Sequence, residues 1–357
     1  MIENKALVLA KFPVGYPVVG EDLTIRTSQI DVTTPPEGGI ILKTNYVSYD
    51  PYLRGKMRQN FKSYVPSFQL QTPLNNNAIS TVVVSDNPRF QKGDVVIGTS
   101  DFAEYASITR ERADKDQATG GFSILDNPLG LDTEIFLGAL GMSGLTAYSS
   151  LYEIGKPEKG QTIFVSAASG SVGQIVGQLA KREGLTVIGS VGNDSKLKFA
   201  KESLGFDAVF NYKTESPADG LARTLKELGK DGLDIYYDNV GGETLDASLA
   251  VMNPFGRIVA CGSVSQTSLQ AHEVYKIANM GLVVPRRLTI RGFIVFDKDM
   301  GPKYTKEHQK NLQQWIKNGE ITVKSSVTEG IDNAAVGLVG MLKGDNFGKA
   351  VLKIADL

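Results

Sequence analysis

Small residues follow a short β-branched and aromatic run near the middle of the chain. The run Thr162–Val165 is typical of a buried strand, and residues 168–173, Ala-Ser-Gly-Ser-Val-Gly, form a tight turn after it. Apolar residues then recur along 172–180 at the spacing of one helix face. Small residues let the backbone approach a pyrophosphate closely, and the amides of the helix N-terminus hold its charge. The pattern predicts a dinucleotide site made by Ala168, Gly170, Ser171, Val172 and Gly173, with alanine in the place of the first glycine.

The residues after the second strand decide between the two nicotinamide cofactors. Residues 185–189 are typical of that strand, and no carboxylate stands directly at its end. A carboxylate there would bond the adenosine ribose 2′-hydroxyl and repel a 2′-phosphate. Asp194 lies beyond the turn that holds Gly192, and we expect it to cap the next helix. The sequence favours the phosphorylated cofactor, and we expect Gly192 and Lys196 to contribute to its binding site, with Lys196 at the 2′-phosphate. The alternative is that Lys196 is a solvated lysine on the surface of a helix.

Further strands alternate with helical spacers and place this turn in a sheet. Strand-like runs lie at residues 208–212, 233–238, 256–262 and 288–296. This alternation predicts a doubly wound parallel sheet, which binds ligands at the carboxyl ends of its strands.

The first 130 residues differ from this α/β pattern. Short strands are predicted at 6–10, 39–46, 79–84 and 94–98, separated by turn clusters that include residues 75–77. They indicate a small, irregular β domain. A helix at 304–317 and a strand at 349–354 are expected to return the chain to it, with a cleft between the halves. The predicted domains are 1–130, catalytic; 131–297, nucleotide-binding; and 298–357, a return to the catalytic domain.

Composition excludes several classes of partner. At 357 residues, two domains are the default, and 41% hydrophobic with 22% charged residues is typical of a soluble globular protein. A net charge of −1 argues against nucleic acid or an anionic membrane as the main partner. The single Cys261 cannot form an internal disulfide, and no signal-type or membrane-spanning apolar run is present. We expect a soluble, cytosolic protein.

Metal-ligating residues are scarce. A catalytic zinc needs three side-chain ligands, mostly cysteine and histidine, and the chain offers Cys261, His272 and His308 without ligand spacing. We therefore expect no metal. Ser-His-Asp and Cys-His chemistry are disfavoured as well, for want of a nucleophile motif or a plausible pair.

Several blocks of residues occur in the order of one known family. They are residues 48–57 (SYDPYLRGKM), 63–66, 141–148, 167–173, 210–213, 238–242, 261–265 and 292–295. Together they span nearly the whole chain. On these blocks the chain resembles a medium-chain dehydrogenase/reductase, in the zinc-free branch of alkenal double-bond reductases and prostaglandin (leukotriene B4 12-hydroxydehydrogenase-like) reductases.

The resemblance implies a fold and a set of cofactor contacts. The fold is a Rossmann sheet inserted in a GroES-like, β-rich catalytic domain, and the cofactor is NADPH. Lys196 and Tyr212 correspond to residues at the 2′-phosphate, and Asn239 to one beside the nicotinamide. A homodimer is also expected. The matching blocks add the remaining predicted cofactor-binding residues, Cys261, Ser263, Phe293 and Val295.

A nicotinamide site without a metal suits the reduction of an activated alkene. Hydride reaches the β-carbon, and a hydroxyl donor stabilises the enolate before the α-carbon is protonated. A tyrosine is protonated at neutral pH and serves as that donor. The catalytic candidates are Tyr64 and Tyr52, and the candidate substrate contacts are Tyr64, Thr267 and Phe293. Tyr52 bracing its loop is the alternative for that residue.

Aromatic and basic residues around these candidates leave two questions open. Four aromatic residues either line an apolar pocket for a hydrophobic enal or enone or pack in the core: Phe61, Phe68, Phe293 and Phe296. Arg54 and Lys56 attract an acidic substrate in one interpretation and form a solvated pair in the other.

Two departures from the family pattern affect the acid and the substrate. Thr267 stands where the branch usually carries a tyrosine, and residues 75–78, Asn-Asn-Asn-Ala, replace a glycine-rich segment. Because threonine is a poor proton donor, the presence of Thr267 makes Tyr64 or a bound water the expected acid. The predicted function is NADPH-dependent reduction of α,β-unsaturated aldehydes and ketones. The alternatives are a quinone oxidoreductase, a stand-alone enoyl reductase, and a non-catalytic NADPH-binding protein.

Overall fold

The computed structural model describes residues 1–59 and 63–357. Its strands, in chain order, are β1 (Ile2–Leu9), β2 (Leu23–Ile30), β3 (Ile40–Ser48), β4 (Asn75–Ser85), β5 (Val95–Asp101), β6 (Tyr105–Ile108), β7 (Phe122–Ile124), β8 (Thr162–Val165), β9 (Thr186–Val191), β10 (Ala208–Asn211), β11 (Leu233–Asp238), β12 (Met252–Ala260), β13 (Thr289–Gly292), β14 (Ser325–Glu329) and β15 (Lys349–Lys353).

The α-helices are α1 (Leu53–Lys56), α2 (Arg110–Asp114), α3 (Met142–Ser150), α4 (Gly173–Arg182), α5 (Asp194–Glu202), α6 (Pro217–Glu227), α7 (Gly242–Val251), α8 (Val264–Thr267), α9 (Val283–Arg286), α10 (Gly301–Lys317) and α11 (Ala334–Lys343). Short 3₁₀ segments lie at Gln117–Thr119, Thr133–Leu137, Asn279–Leu282 and Ile331–Asn333, and a π-helical turn lies at Leu151–Gly155.

The chain divides into two compact units. The first contains residues 1–137 and 325–357, and the second contains residues 138–324. The boundaries differ from the expected 130/131 and 297/298, because α10 belongs to the second unit. The Tyr148 hydroxyl of α3 donates to Glu307 of α10 at 2.7 Å, and the His308 ring bonds the Ala139 carbonyl at 2.9 Å.

The second unit holds a six-stranded parallel sheet in the order β10-β9-β8-β11-β12-β13. Every residue of β8 is buried, as expected for a strand covered on both faces. The Phe164 ring stacks on Phe210 and on Tyr236, with centroids 5.6 and 5.1 Å apart. Chain order reverses on the two sides of β8, which makes its carboxyl end the switch point where such sheets bind ligands. The predicted Rossmann sheet is confirmed.

The last strand of this sheet is shorter than predicted. The sequence indicated a strand over 288–296, but β13 covers only Thr289–Gly292. Among the described residues it is an edge strand, and β12 pairs with it as far as Ala260 opposite Gly292. The ladder ends there, and Phe293, Ile294, Val295 and Phe296 lie in the turn that follows.

The first unit is built around a seven-stranded sheet in the order β14-β15-β3-β4-β5-β7, with β6 also on β3 and a separate β1–β2 pair. Strand β15 pairs antiparallel with β3, so the C-terminal segment completes this unit as expected. Residues 75–77 were predicted to form a turn, and that prediction is wrong. They begin β4, where Asn76 pairs with Ser100 of β5, because ladder pairing outweighs the low strand propensity of asparagine.

No helix in the described part of the chain is both long and apolar enough to cross a membrane.

His308 makes the second unit sensitive to acid. The side chain is fully buried on α10, where Nε2 bonds the Ala139 carbonyl and Nδ1 bonds the Gln309 amide. Burial lowers its pKa from the usual 6.5 to about 4. The unfolded chain therefore binds a proton that the folded chain excludes, and this stabilisation is lost as pH falls from 6.5 through 4. We expect the free energy of unfolding to fall by about 3 kcal/mol across that window.

Chemical denaturation at a series of pH values tests this prediction. His308→Gln should remove most of this pH dependence, whereas His272→Gln, at an exposed position in the same unit, should leave it in place. Identical pH profiles for wild type and His308→Gln would contradict the assignment.

Candidate active site

The turn after β8 brings the start of α4 unusually close to the strand end. Ala167 has a positive φ of 51°, and the Ala168 amide donates to the Ser190 carbonyl of β9 at 2.9 Å. A Cβ on Gly173 would lie 2.3 Å from the Ala167 oxygen and 2.9 Å from the Cα of Ala168. Because backbone atoms cannot move aside, only glycine fits there. The small residues of the motif are thus required by this close approach.

The polar groups at this turn are only partly satisfied by the residues that the structure describes. Val172, the N-cap of α4, has no side-chain acceptor for the first helical amides. The Oγ of Ser171 is buried and has no hydrogen-bond partner among the described residues. A buried hydroxyl without a partner is costly, so a bound group with acceptor oxygens would satisfy it. The turn therefore fits an anionic, phosphate-like group.

The residue that caps α5, in the turn after β9, is not the one that the sequence predicted. Asn193, and not Asp194, caps α5: its Oδ1 accepts from the Lys196 amide at 2.8 Å. The prediction for Asp194 is wrong because its carboxylate accepts instead from the Asn211 side chain at 2.9 Å. Lys196 is only 5% exposed, which excludes a solvated helix lysine. A buried ammonium in the first turn of α5 is suited to hold an anion.

Tyr212 follows β10 and faces the same turn. A Cβ on Gly192 would lie 2.8 Å from the Tyr212 hydroxyl, so glycine makes room for the phenol. Tyr212 remains 45% exposed. The structure thus brings Gly192 and Tyr212 together and places Lys196 one turn beyond, at the ends of two adjacent strands.

The ends of β8 and β11 are joined by the predicted Asn239 and by two residues that sequence reasoning missed, Ser166 and Asp238. The Ser166 Oγ accepts from the Asn239 amide at 3.0 Å, and the Asn239 side chain donates to the Ser166 carbonyl at 2.8 Å. Asp238 is buried, and its Oδ1 accepts from the Tyr236 hydroxyl and the Gly241 amide, both at 2.7 Å. Burial raises the pKa of Asp238, although these hydrogen bonds oppose the rise. These contacts fix Asn239 in position; polar residues at strand ends were the available signal.

The turn after β12 carries Cys261, Ser263 and Thr267. The Cys261 amide donates to the Asp238 carbonyl at 2.9 Å, which links this turn to β11. Burial raises the pKa of the Cys261 thiol to about 12, so the thiol is not a nucleophile at neutral pH. The Thr267 hydroxyl donates to the Ser263 carbonyl at 3.0 Å. The Thr267 hydroxyl hydrogen is therefore donated to the main chain at the start of α8.

The residues after β13 have mixed environments. Val295 is buried, and its carbonyl accepts from the Gly301 amide at the start of α10 at 2.8 Å. Phe293 is partly buried, and Phe296 is 53% exposed. A Cβ on Gly301 would lie 3.4 Å from a Val295 side-chain carbon, so Val295 packs against the start of α10.

The two candidate tyrosines lie in the first unit and differ in environment. Tyr64 is 62% exposed. Tyr52 is partly buried, and its hydroxyl donates to the Oδ1 of Asn76. Burial raises the pKa of Tyr52, and the nearby Asp50 and Tyr64 raise it further. Phe68 is buried in the core of this unit, whereas Phe61 lies outside the described residues.

The basic pair of α1 is not solvated. Arg54 is 3% exposed, and its Nε donates to the Gly15 carbonyl at 2.9 Å. The Lys56 ammonium donates to the Oδ1 of Asn75 at 3.0 Å and lies 4.1 Å above the Phe68 ring. Desolvation lowers the pKa of Lys56 to about 8. The reading of both as exposed charges is wrong, because loop carbonyls and β4 cover them.

Among the residues the structure describes, no group of three or more His, Cys, Asp or Glu side chains is arranged to hold a metal ion.

Comparisons with known proteins cover the whole chain. A family model described as zinc-binding dehydrogenase matches residues 171–311, and one described as the N-terminal domain of oxidoreductase matches residues 5–115. A Cochliobolus heterostrophus protein named NADP-dependent oxidoreductase RED1 is 50% identical, covering 100% of this chain and 99% of that protein. A Nicotiana tabacum protein named 2-alkenal reductase (NADP(+)-dependent) is 39% identical, covering 99% of this chain and 98% of that protein.

One solved structure is similar to this chain in both sequence and fold. The crystal structure of CurA from Vibrio vulnificus in complex with NADPH has a TM-score of 0.87 and 32% identity, covering 99% of this chain and 100% of that chain. The chain therefore belongs to the medium-chain dehydrogenase/reductase family, in its zinc-free, alkenal-reductase-like branch.

Proposed function

We propose that this protein is an NADPH-dependent reductase of the C=C bond in α,β-unsaturated aldehydes and ketones. The observation that carries the proposal is the buried Ser171 hydroxyl, which has no hydrogen-bond partner in the part of the chain that the structure describes and lies beside a helix N-terminus without a side-chain cap. Such a turn at the switch point of a Rossmann sheet suits the pyrophosphate of a dinucleotide. The relatives named for NADP-dependent oxidoreduction and alkenal reduction support the same cofactor and substrate class.

The strand ends of the second unit would hold NADPH. Ala168, Gly170, Ser171, Val172 and Gly173 would bind its pyrophosphate through main-chain amides and one hydroxyl. The buried ammonium of Lys196 and the phenol of Tyr212 would bind the 2′-phosphate, with Gly192 leaving space for them. The turns after β11, β12 and β13 would place the nicotinamide, through Asn239, Cys261, Ser263, Phe293 and Val295.

The protein's part in the reaction is to donate a proton and stabilise charge. NADPH, when bound, supplies the hydride that the β-carbon of the substrate accepts. The enolate that results needs a hydrogen-bond donor, and no Lewis acid, because its charge is spread over carbon and oxygen. The O–H bond of the donor breaks as the α-carbon or the enolate oxygen gains the proton, and water then reprotonates the donor.

Tyr64 is the proposed donor. Its side chain is 62% exposed, so a substrate can reach it. The hydroxyl of the other candidate substrate contact, Thr267, donates to the Ser263 carbonyl at 3.0 Å. A phenol is protonated at neutral pH and is far more acidic than an aliphatic alcohol. We propose Tyr64, Thr267 and Phe293 as the substrate contacts, with a medium-sized hydrophobic enal or enone as substrate.

Tyr64→Phe should lower kcat for an enone by about 100-fold, the lower end of the range for general acid catalysis, while the Kd for NADPH stays unchanged. Steady-state kinetics and a fluorescence titration of NADPH measure the two quantities. Tyr105→Phe, on β6 of the same unit, serves as the control and should change neither. Unchanged turnover in Tyr64→Phe would remove Tyr64 from the mechanism.

The absorbance of NADPH, followed with a panel of enals, enones, quinones, enoyl thioesters and saturated aldehydes, tests the function itself. We expect oxidation with enals and enones. Oxidation with quinones alone would identify a quinone oxidoreductase. Oxidation with enoyl thioesters alone would identify an enoyl reductase. Binding of NADPH without oxidation by any substrate would identify a non-catalytic NADPH-binding protein.

The proposal includes a homodimer in the cytosol. The family resemblance and the frequency of twofold symmetric oligomers support the dimer. A lone cysteine, with its thiol protonated, suits a reducing compartment. Sedimentation analysis and cell fractionation test these two statements.

A further inference from the structure

A hydrogen-bonded chain of buried side chains lies behind Tyr52 in the first unit. The Lys349 ammonium donates to Asp50 Oδ1 at 2.5 Å, and the Asn76 amide nitrogen donates to Asp50 Oδ2 at 2.9 Å. The Asn76 oxygen then accepts from the Tyr52 hydroxyl. Asp50, Asn76 and Lys349 are 2–4% exposed. The chain therefore connects a phenol at its outer end to a fully buried ion pair at its inner end.

The charges of this chain fix the direction of every hydrogen bond. Lys349 has only donors, so Asp50 must accept from it. The Asn76 nitrogen faces two acceptors, Asp50 Oδ2 and, at 2.8 Å, the Ser48 carbonyl. Turning the amide over would point its oxygen at both of them, so the orientation that is usually ambiguous is determined here. Its oxygen faces Tyr52, and the Tyr52 hydroxyl must be the donor.

Asn76 offers the acceptor through its side chain and not through the strand. The main chain of residues 75–77 pairs with residues 99–101 of β5. A glycine at position 76 would offer no side-chain acceptor to Tyr52. The family resemblance implies a glycine-rich segment at residues 75–78, so the engagement of Tyr52 depends on the side chain that this sequence carries there.

We propose that Asn76 is a positioning residue that holds the hydroxyl hydrogen of Tyr52 inward, so that Tyr52 does not serve as the acid and that role falls to Tyr64. The proposal rests on the proposed enone reduction and assigns its proton donor. The resemblance makes Tyr52 a candidate acid, and the proposal explains why it does not take that role. A hydroxyl has one hydrogen to donate, and the Tyr52 hydroxyl donates it to the Asn76 oxygen.

Rescue of a disabled enzyme is the kinetic test. In the Tyr64→Phe background, adding Asn76→Gly frees the Tyr52 hydroxyl, and we expect kcat for an enone to rise at least about tenfold, a fraction of a general acid's full effect. Adding Tyr52→Phe to that double variant should abolish the gain. A merely structural role for Asn76 would lower turnover and never restore it. Asn77→Gly, at the next position of β4 and on the opposite face, is the matched control and should give no rescue. No rescue by a folded Asn76→Gly variant would overturn the proposal.

A spectroscopic measurement does not depend on turnover. In protein labelled at tyrosine and free of cofactor, the Tyr52 hydroxyl proton should give a slowly exchanging NMR resonance, identified by its loss in Tyr52→Phe. We expect Asn76→Gly to abolish that resonance and Asn77→Gly to keep it. A Tyr52 hydroxyl that exchanges freely in the wild type would overturn the proposal, even where the variants fail to fold. Because no enone takes part, this result is separate from a failure of the proposed function.

Discussion

Lys349→Met should lower the free energy of unfolding by about 3–5 kcal/mol, the largest stability effect that we expect from a single substitution in this chain. Lys349 and Asp50 form an ion pair in which the two side chains are 2% and 5% exposed. The ammonium also donates to the Tyr49 carbonyl at 2.8 Å. Removing the cation leaves the Asp50 carboxylate buried without a counter-charge, and hydrogen bonds from Ser48 and Asn76 do not replace it.

Chemical denaturation measures this loss, and hydrogen exchange at β3 and β15 assigns it to the first unit. The matched control is Lys353→Met on the same strand, where the ammonium pairs with Asp356 at the surface and little change is expected. Asp50→Asn combined with Lys349→Met should recover part of the stability, because no unpaired charge remains. Equal effects of Lys349→Met and Lys353→Met would show that the buried pair is not a determinant of stability.

Lys196→Ala should weaken NADPH binding by about 10- to 100-fold while the Kd for NADH stays nearly constant. The expected loss corresponds to about 1.5–3 kcal/mol, the value of a hydrogen bond to a charged group. The 5% exposure of Lys196 in the first turn of α5 is the reason for a loss of this size, because a desolvated ammonium interacts with a phosphate more strongly than a solvated one does.

Fluorescence titrations with the two cofactors test this prediction. Lys198→Ala provides the control, since this lysine lies on the same helix with a side chain that is 72% exposed. It should leave both Kd values unchanged. Equal weakening of NADPH and NADH in Lys196→Ala would place the lysine away from the 2′-phosphate.

The Rossmann sheet could be predicted from the sequence because its signals are local. Buried parallel strands such as β8 and β11 are short apolar runs, and the turn at residues 168–173 needs small residues for a steric reason that the structure shows at Gly173. The extent of β13 could not be predicted. Whether Phe293 continues the strand depends on a neighbour to pair with, and β13 is at the edge of the sheet.

The misassigned residues are those whose partners are distant in sequence. Asn76 has turn-like propensity, but a ladder with β5 and a bond to Tyr52 place it in a strand. Of the two interpretations of Lys56 and Arg54, the solvated pair is wrong, and nothing local in the sequence indicates the carbonyls and the strand that cover them. Lys349 and Asp50 are 299 residues apart, and no periodicity relates them. Local patterns gave the cofactor turn, and long-range packing determined the surroundings of the tyrosines.

Transfer of deuterium from NADPH labelled at C4 of the nicotinamide to an enone is the most direct test of the proposed function. We expect a saturated ketone with deuterium on the β-carbon and a solvent proton on the α-carbon, as seen by NMR of the product. Deuterium on the carbonyl carbon, in an allylic alcohol, or an enone left unreduced by the NADPH-loaded protein would contradict it.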